Sequence, residues 1–530
     1  MRKDFSKNEH SFAQKIIEEI NSGLINTEKE LEVRRFFWSK ELKLNSMPPY
    51  PFILSKAPNA SKKVQKLLSI KPTRSLSGVQ VIAVMLPPFP CPGKCIYCPS
   101  SLEDKLSPKS YTGFEPSALR AQRLNYDAYK IVENRIKQLD LTGNFANKIE
   151  LIFQGSSFTS LPKNKQELVV KKSLDAVVGK KTKSLVEAKQ ASEKSKRKVV
   201  GITFETRPDI CSKEDVKRML SLGGTRVELG VQNPSDKIYS IINRGHTVQD
   251  VVDSTKRLKD SAFKVLYHLM PGLPGSDYKT DLANFRNIFT NPDFKPDMVK
   301  FYPCLVIKGT KLYEDWKKGD FVPIEEEAAA KLLAQIKSEI PKWVRVMRVN
   351  RDIPSTVISA GVKKTNLRQL VEEELHKMGK KCNCIRCREI GLQNRGKKFP
   401  ENEVPTLSTE FYEASGGEES FISFESKNAL YGFARLRNPA TPFLKEITSR
   451  TALLRELHVF GRALPVGEND ELSVQHKGLG QELIAQAELI AKEKYGANKM
   501  VIISGLGVKE YYKKYLGYKK EGPYMSKKLK

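Results

Sequence analysis

The chain has 530 residues, a hydrophobic fraction of 39% and a formal net charge of +30 at pH 7. A single hydrophobic core rarely supports this length, so two or three domains are expected. No apolar run approaches the roughly 20 residues that cross a bilayer, and the N-terminus lacks a hydrophobic signal core. These features exclude membrane-embedded classes and predict a cytoplasmic protein with no membrane partner.

The charge arises from 91 Lys and Arg against 61 Asp and Glu. Excess lysine can serve solubility alone. Alternatively, it indicates a polyanionic partner, because basic surfaces gain affinity when counterions leave a phosphate backbone. Charge by itself does not distinguish RNA, DNA and an anionic membrane.

Residues 1–70 are predicted to be helical and basic, since "FAQKIIEEINSGL" and "SKKVQKLLSIKP" place apolar residues at helical spacing. Residues 71–350 alternate short apolar runs with helical patterns. The candidate strands there are "GVQVIAVMLP", "KIELIFQG", "KVVGITFE", "RVELGVQ", "FKVLYHLMPGLPG" and "MVKFYPCLVI". This alternation predicts a parallel sheet, as a full or partial (β/α) barrel with its chemistry at the C-terminal ends of the strands.

Residues 351–405 are more irregular and are interpreted as a linker. Residues 406–530 predict a smaller α/β domain. Its candidate strands are "FISFES", "ALYGFARLR", "ALLRELHVFG" and "KMVIISG". The segment "GLGQELIAQAELIAKEKYG" predicts a helix with Leu483, Ile484, Ala487 and Ile490 on one face.

Six of the eight cysteines lie in two tight triplets, which is typical of metal or cluster sites rather than of a disulfide scaffold. The first triplet, "CPGKCIYC", contains Cys91, Cys95 and Cys98. A four-iron cluster usually takes four ligands, so three cysteines leave one iron open to chelate S-adenosylmethionine (SAM). Zinc with a distant histidine is the alternative. The aromatic Tyr97 and the position after the first strand favour the cluster.

Two strand ends carry further candidates. "FQGSSFT" ends in small residues that suit close approach of a ligand, and "ITFETRPD" places Glu205 and Arg207 where they could bind ribose hydroxyls or a carboxylate. Ordinary turn chemistry and a surface ion pair are the alternatives for these residues.

The stretch "QHKGLG", at Gln475 to Gly480, precedes the strongest helix of the last domain. Glycines there let backbone N–H groups point at a pyrophosphate, assisted by the helix dipole. The form Q-x-x-G-x-G between a strand and a helix is that of the acyl-CoA loop of GNAT acetyltransferases. Tyr511 and Tyr512 lie farther along the chain. One of them could donate a proton to a thiolate leaving group, or both could be packing residues.

A radical-SAM triplet and a GNAT loop in one basic chain resemble one family closely, the catalytic subunit of Elongator in its stand-alone archaeal and bacterial type. The likeness runs from "KPTRSLSGVQVIAVM" to the C-terminus and includes "SYTGFEPSALRAQRLNYDAY", "GITFETRPDIC", "NRGHTV", "HLMPGLPGSD" and "GVKEYYKKYLGYKKEGPYM". It implies a radical-SAM partial (β/α) barrel and a GNAT-type α/β acetyltransferase domain, joined by a metal-binding linker.

The resemblance also implies an activity, the 5-carboxymethylation of uridine 34 in the anticodon stem-loop of tRNA. A radical derived from SAM takes a hydrogen from acetyl-CoA, and the resulting carbon radical adds to C5 of uracil. The implied partners are tRNA, with residues 1–70 as a tRNA-binding segment, acetyl-CoA, an electron donor, and a homodimer copy or Elongator-like subunits.

The site residues implied by the resemblance fall into two groups. The [4Fe-4S] ligands are Cys91, Cys95 and Cys98. Catalytic or acetyl-CoA-binding roles pass to Lys148, Glu456, Leu457, His458, Val459, Leu479, Gly480, Gln481 and Tyr512.

The second triplet, "CNCIRC", contains Cys382, Cys384 and Cys387 and resembles a zinc-bearing linker of the family. It supplies three thiolates, so His376, Cys211, Cys304 or an acid would complete a Zn²⁺ site. A reduced cysteine-rich turn is the alternative. A bound metal would fix the angle between the domains.

The chain also departs from the family pattern. The gap after Cys91 is short, Ser100 and Ser101 replace a glycine pair, and Ser156 and Ser157 alter a glycine-rich motif. These changes touch the predicted SAM pocket and bear on turnover. A protein lysine acetyltransferase and a tRNA-binding scaffold without turnover are therefore the alternative functions.

Overall fold

A computed structural model of the protein describes residues 6–57, 60–68, 78–99, 107–393, 404–427, 429–460 and 478–529. The helices are α1 (Lys7–Ser22), α2 (Glu28–Glu41), α3 (Tyr50–Ser55), α4 (Lys62–Leu67), α5 (Pro116–Arg123), α6 (Ala128–Leu141), α7 (Lys163–Val178), α8 (Leu185–Lys194), α9 (Lys213–Ser221), α10 (Asp236–Ile241), α11 (Val248–Lys259), α12 (Tyr278–Thr290), α13 (Lys311–Lys318), α14 (Glu326–Glu339), α15 (Leu367–Lys377), α16 (Ile385–Arg388), α17 (Ile390–Gln393), α18 (Leu479–Glu493) and α19 (Lys509–Leu516). None of these described helices combines the length and apolar character that crossing a bilayer requires.

The strands form two seven-stranded sheets and one small ladder. They are β1 (Val79–Met85), β2 (Lys148–Gln154), β3 (Lys198–Thr206), β4 (Arg226–Gln232), β5 (Lys264–Leu269), β6 (Met298–Phe301), β7 (Val306–Ile307), β8 (Arg345–Arg348), β9 (Ile358–Ala360), β10 (Thr406–Ala414), β11 (Gly417–Glu425), β12 (Leu430–Asn438), β13 (Thr451–Val459), β14 (Lys499–Ile502), β15 (Lys519–Glu521) and β16 (Tyr524–Lys528).

The first sheet has the order β1-β2-β3-β4-β5-β6-β8, and every neighbouring pair is parallel. Helices connect successive strands, as parallel pairing requires. This open parallel sheet is the predicted partial (β/α) barrel, and each candidate strand of the region contains an observed one.

The N-terminal helices α1–α4 bury a separate small core. Phe12, Ile16, Ile20 and Ile53 are fully buried within it, and no member of this cluster belongs to the larger core of the two sheets. A capping box at Ser6 and Glu9 starts α1, and Gly23 ends it in the left-handed region at φ 86°. The helix predicted from "FAQKIIEEINSGL" is confirmed.

The second sheet has the order β10-β11-β12-β13-β14-β16-β15 and is antiparallel except for the pair β13 and β14. Strand β14 pairs with β13 only along Thr451–Leu454, so the two strands separate beyond Leu454. Helix α18 packs near the opening. This arrangement confirms the predicted second α/β domain, including its long helix.

The two sheets are joined by buried ion pairs. Arg437 binds Asp260 with an Nε–Oδ1 distance of 2.8 Å, and Arg455 binds Asp297 at 2.8 and 2.5 Å. Asp260 and Asp297 lie just before β5 and β6. The second domain therefore packs against the N-terminal ends of the first sheet's strands, opposite the edge where the first cysteine triplet lies.

The segment after residue 351 carries more regular structure than its composition predicted. Strand β9 pairs antiparallel with β7, and α15 packs against α14. These contacts attach the segment to the first sheet, because β7 and α14 both belong to that part of the chain.

Candidate active site between the two sheets

A single continuous cavity of about 2310 Å³ extends from the first cysteine triplet to the second sheet. There it reaches the wedge, the gap that opens where β13 separates from β14 beyond Leu454. The site residues that the resemblance implied for the cluster and for acetyl-CoA line it. They are Cys91, Cys95, Cys98, Lys148, Glu456, Leu457, His458, Val459, Leu479, Gly480, Gln481 and Tyr512. The structure thus brings together, on the walls of one cavity, residues that are more than 400 positions apart in the chain.

The first triplet follows β1 at the C-terminal edge of the parallel sheet. Arg244 Nη1 lies 3.4 Å from Cys95 Sγ, and Cys98 N donates to Cys95 O at 3.1 Å. Burial disfavours the charged thiolate, but the guanidinium of Arg244, followed by that of Arg207, lowers the pKa of Cys95 below its ordinary value. A thiolate is the form that ligates iron.

Arg207 offers a further indication of an anionic group. Its guanidinium is held by Asp209 at 2.9 and 3.0 Å and by the carbonyl of Arg244 at 2.9 Å. Its Nη1 is buried, yet it has no hydrogen-bond partner among the described residues. A Cβ at Gly93 would collide with this guanidinium. The small residue and the unsatisfied donor fit a cluster or a carboxylate bound beside the triplet.

The two cysteine triplets differ in the spacing of their sulfur atoms. The sulfurs of Cys382, Cys384 and Cys387 all lie within 4.8 Å of one another. Those of the first triplet do not meet this criterion. Zinc–sulfur bonds of about 2.3 Å place tetrahedral ligands roughly 4 Å apart. The second triplet therefore fits a single ion, whereas the first fits a larger group such as an iron–sulfur cluster.

The fourth ligand of the second site is not among the residues named from the sequence. His376, Cys211 and Cys304 do not join the group of close donor atoms in the described part of the chain. Both cysteines are buried, and Cys304 belongs to a different hydrophobic cluster from the triplet. These three candidates are therefore wrong.

A buried lysine accompanies the second triplet. Lys337, on α14, is fully buried, and its Nζ has no hydrogen-bond partner among the described residues. Its charge acts on Cys387. An ammonium group with no acceptor is costly unless an anion lies nearby, and a metal bound by three thiolates carries net negative charge. The surroundings fit a metal–thiolate site.

The strand ends after β2 and β3 also face the cavity. Glu205 accepts hydrogen bonds from Gln154 at 3.1 Å and from Tyr111 at 3.2 Å. Ser156, at φ 53°, occupies the left-handed region, and its Oγ donates to Phe89 O at 3.0 Å. Ser157 is buried nearby. Ser100 and Ser101 lie outside the described residues.

The interior of the parallel sheet is unexpectedly charged. Every second residue of several strands faces the cavity, and many of these carry charge or can carry it. They are Lys148 and Glu150 on β2, Arg226 and Glu228 on β4, Lys264 and His268 on β5, and Lys300 on β6. Apart from Lys148, sequence reasoning missed them. The sequence did contain a signal for them. Buried parallel strands are normally continuous apolar runs, so charged residues at alternate positions of such strands indicate a polar interior.

Glu228 is the centre of this charged interior. It is fully buried, and its Oε2 binds Lys300 Nζ and His268 Nε2, the latter at 2.7 Å. Arg226 Nη2 lies 3.4 Å from its other oxygen. Burial would raise the pKa of Glu228, but Lys300, His268 and Arg226 together hold it well below its usual range. Glu228 is therefore a carboxylate at neutral pH.

The opposite end of the cavity lies where β13 separates from β14. Helix α18 begins there at Leu479, behind Gly478 at φ 83°. Gly480 lies close enough to Tyr511 that a Cβ would stand 3.4 Å from the Tyr511 hydroxyl. The N-terminus of this helix and its glycines suit a pyrophosphate. Gln475, His476 and Lys477, the first part of the predicted loop, lie outside the described residues.

Tyr512 lies on α19 beside this opening. It is buried, and burial, followed by Tyr511, raises its pKa above the ordinary value. A phenol that stays protonated can donate a proton to a departing thiolate. Lys148, at the start of β2, also lines the cavity, and burial lowers its pKa.

Comparison with known proteins agrees with this geometry. The Radical SAM superfamily matches residues 88–285, and the Radical_SAM C-terminal domain matches residues 296–377. The tRNA uridine(34) acetyltransferase of Methanocaldococcus infernus is 49% identical over 90% of this chain and 91% of its own length. Elongator complex protein 3 of Saccharomyces cerevisiae is 40% identical over 93% of this chain and 90% of its own.

A solved structure is similar as well. The archaeal Methanocaldococcus infernus Elp3 with an N-terminal deletion matches with a TM-score of 0.76 and 46% identity, over 86% of this chain and 100% of that chain. The radical-SAM fold and the resemblance inferred from the motifs are confirmed. The chain belongs to the family of the tRNA uridine(34) acetyltransferases and Elongator complex protein 3.

Proposed function

We propose that the protein uses SAM and acetyl-CoA to form 5-carboxymethyluridine at position 34 of tRNA. The observation that carries this proposal is the continuous cavity between the cluster-binding cysteines and the acetyl-CoA wedge. Radical transfer from one cosubstrate to the other requires such a shared space. The names of the relatives favour a tRNA uridine over the alternative of a protein lysine, and over a scaffold without turnover.

Cys91, Cys95 and Cys98 would hold a [4Fe-4S] cluster, which when bound supplies the electron that cleaves the sulfonium of SAM. Arg207 and Arg244 would balance the negative charge there, as their contacts around Cys95 suggest. Glu205, held by Gln154 and Tyr111, would orient a ribose hydroxyl. The cavity walls around the reacting atoms would limit the access of stray hydrogen donors to reactive carbon radicals.

The acetyl-CoA would enter through the second domain. The backbone of Glu456 to Val459 would line the pantetheine arm, because β14 no longer pairs with this part of β13. Leu479, Gly480 and Gln481, in the first turn of α18, would bind the pyrophosphate. Tyr512 would protonate the departing thiolate, and Lys148 would meet a CoA phosphate.

The tRNA would approach this cavity, whose walls carry several arginines. They include Arg120, Arg135, Arg348, Arg351, Arg368 and Arg386. Cationic side chains at a cavity mouth suit a phosphate backbone. The proposal also includes Zn²⁺ bound by Cys382, Cys384 and Cys387. It further includes an electron donor for the cluster, and a homodimer copy or Elongator-like subunits as partners.

The decisive experiment is reconstitution. Anaerobic protein with a rebuilt cluster, a reductant, SAM, acetyl-CoA and unmodified tRNA should yield 5-carboxymethyluridine at position 34, detected by mass spectrometry of nucleosides. Omission of either cosubstrate should remove the product. Release of CoA and 5′-deoxyadenosine without any modified uridine would overturn the proposal.

Lys148→Met tests the acetyl-CoA site. Methionine keeps most of the side-chain volume but removes the ammonium, so affinity for acetyl-CoA should fall about tenfold, the effect of removing one charge-assisted hydrogen bond. Titration calorimetry measures it, with Lys198→Met, on the neighbouring strand and absent from the cavity wall, as the control. Equal affinities in the two variants would contradict a role for Lys148 in binding.

The N-terminal helices provide a test of tRNA binding. Lys7, Lys29, Lys40 and Lys43 are exposed, and replacing all four with Gln should weaken tRNA binding on any tRNA sequence. The slope of log K against log salt should fall by about 1 for each phosphate that the variant no longer neutralises. Filter binding across a salt series measures both quantities. An unchanged slope would remove this segment from the RNA-binding surface.

A further inference from the structure

Glu228 and His268 form a hydrogen-bonded pair on the cavity wall that uses only one of the two imidazole nitrogens of His268. The side chain of His268 is 16% exposed, and its ring faces the cavity. Because Glu228 is an ionised carboxylate, it can only accept a hydrogen bond, so Nε2–H of a neutral His268 donates to it. Nδ1 is then the unprotonated nitrogen. It has no hydrogen-bond partner among the described residues.

The position of this pair lies between the two ends of the cavity. Two residues beyond Glu228 on β4, the carbonyl of Gly230 accepts from Arg244, which contacts Cys95. Two residues before Glu228, Arg226 interacts electrostatically with Glu456 of the acetyl-CoA wedge. A two-residue step along a strand spans about 6.6 Å. Glu228, and with it the imidazole that it binds, therefore lies along β4 between a residue linked to the triplet and a residue that senses Glu456.

The proposed reaction needs a group at this place. If the uracil ring lies toward the cluster and the CoA arm extends from the second domain, the thioester carbonyl lies between them. After the acetyl carbon has joined C5, water must replace sulfur on this carbonyl to leave a carboxymethyl group. Water is a weak nucleophile toward a thioester and benefits from a positioned base.

We propose that His268 is the general base for this hydrolysis and that Glu228 is its positioning residue. The inference rests on the proposed function, since it assigns the thioester to the middle of the cavity. The ring of Tyr302 meets the imidazole edge-on at 5.3 Å and fixes its plane. The buried ion pair of Lys300 with Glu228 holds the carboxylate in place.

The step balances without an oxidant or a reductant. A water proton passes to Nδ1 of His268 as the water oxygen bonds to the thioester carbon. The carbon–sulfur bond then breaks, and the sulfur takes the proton held by the imidazolium and leaves as CoA thiol. Where Tyr512 donates that proton instead, the imidazolium reprotonates its phenolate. The sum is thioester plus water giving carboxylic acid plus thiol.

His268→Gln is the test, because its amide can still donate to Glu228 while offering no basic nitrogen. In the complete reaction, 5-carboxymethyluridine should fall at least about 10²-fold, the usual effect of losing a general base. The tRNA should instead accumulate CoA joined to uridine 34 through an intact thioester, seen by mass spectrometry and removed by hydroxylamine. Release of 5′-deoxyadenosine should stay within about twofold of the wild-type value, because hydrogen abstraction precedes the hydrolysis.

A second readout does not need the cluster. Cluster-free protein with tRNA and acetyl-CoA is assayed for free CoA thiol, and the variant should be slower by about the same 10²-fold. His376→Gln is the matched control, since that exposed imidazole on α15 does not line the cavity, and it should accumulate no thioester adduct. If glutamine does not fit, His268→Asn is measured in the same two assays.

The outcomes separate cleanly. Wild-type rates of CoA release and of carboxymethyluridine formation in the variant would overturn the assignment. A variant that neither releases 5′-deoxyadenosine nor accumulates the adduct would also overturn it, because His268 would then be structural. A wild-type protein that modifies no uridine would reject the proposed function, while the thiol assay would still decide the role of His268.

Discussion

Cys95→Ala should abolish both 5′-deoxyadenosine release and formation of 5-carboxymethyluridine. Its sulfur is the one that Arg244 contacts at 3.4 Å, so the change removes a proposed cluster ligand that lies beside a guanidinium. Iron content and the visible absorption of the reconstituted protein should fall together with activity. The measurement is single-turnover product analysis under anaerobic conditions.

The affinity for tRNA should remain within about twofold, because the substitution removes no cation that could bind a phosphate. Cys211→Ala is the matched control, since that thiol is buried in the core and contacts no part of the cavity. Burial raises the pKa of Cys211 to about 12, so it stays a thiol. Modification at the wild-type level in Cys95→Ala would refute the radical assignment.

Among the substitutions proposed for this protein, Asp297→Asn should lower the free energy of unfolding most. Asp297 is fully buried, binds Arg455 at 2.8 and 2.5 Å, and lies 3.9 Å from Lys259 and 3.7 Å from Arg435. An amide removes one of the buried anions that these cations share, although Glu419 remains 3.4 Å from Arg455 and from Lys259. Breaking a buried pair by removing one partner costs about 3–5 kcal/mol. Urea unfolding at pH 7, followed by near-ultraviolet circular dichroism, measures the change.

The same residue predicts a pH dependence. Burial alone would raise the pKa of Asp297, but Arg455, Lys259 and Arg435 lower it to about 2. A carboxyl group with a lowered folded-state pKa stabilises the protein above its unfolded value of about 4, and this contribution disappears as pH falls from about 4 to 2. Asp297→Asn should lack this component of the acid transition.

Asp293→Asn, on the exposed turn just before, is the control and should change stability by less than about 0.5 kcal/mol. If Asp297→Asn unfolds at the same urea concentration as this control, the buried network does not hold the domains together.

Local chemistry was the part of the site that the sequence predicted best. The spacing of Cys91, Cys95 and Cys98 is complete within eight residues, and the strand before it and the helix after Gly478 are also local patterns. The residues that line the cavity were predicted through the resemblance to a family. Their convergence on one space is a result of tertiary structure.

Non-local features were missed for physical reasons. Arg437 and Asp260 are 177 residues apart, and an arginine in a strand reads as solvent-exposed until its buried partner is known. The separation of β13 from β14 depends on where pairing stops, which no local pattern in either strand reveals. By contrast, the charges at alternate positions of "RVELGVQ" and "KIELIFQ" were readable as a polar interior of the barrel.

The docking of the second domain on the N-terminal ends of the barrel strands has a kinetic consequence. In the proposed reaction the sulfonium and thioester cosubstrates would be bound at opposite ends of the cavity, so neither would need to depart before the other is replaced. Spent nucleoside would then be exchanged while the acyl donor stays bound. Initial-rate patterns should accordingly intersect, as in random-order ternary mechanisms, instead of running parallel as in ping-pong exchange.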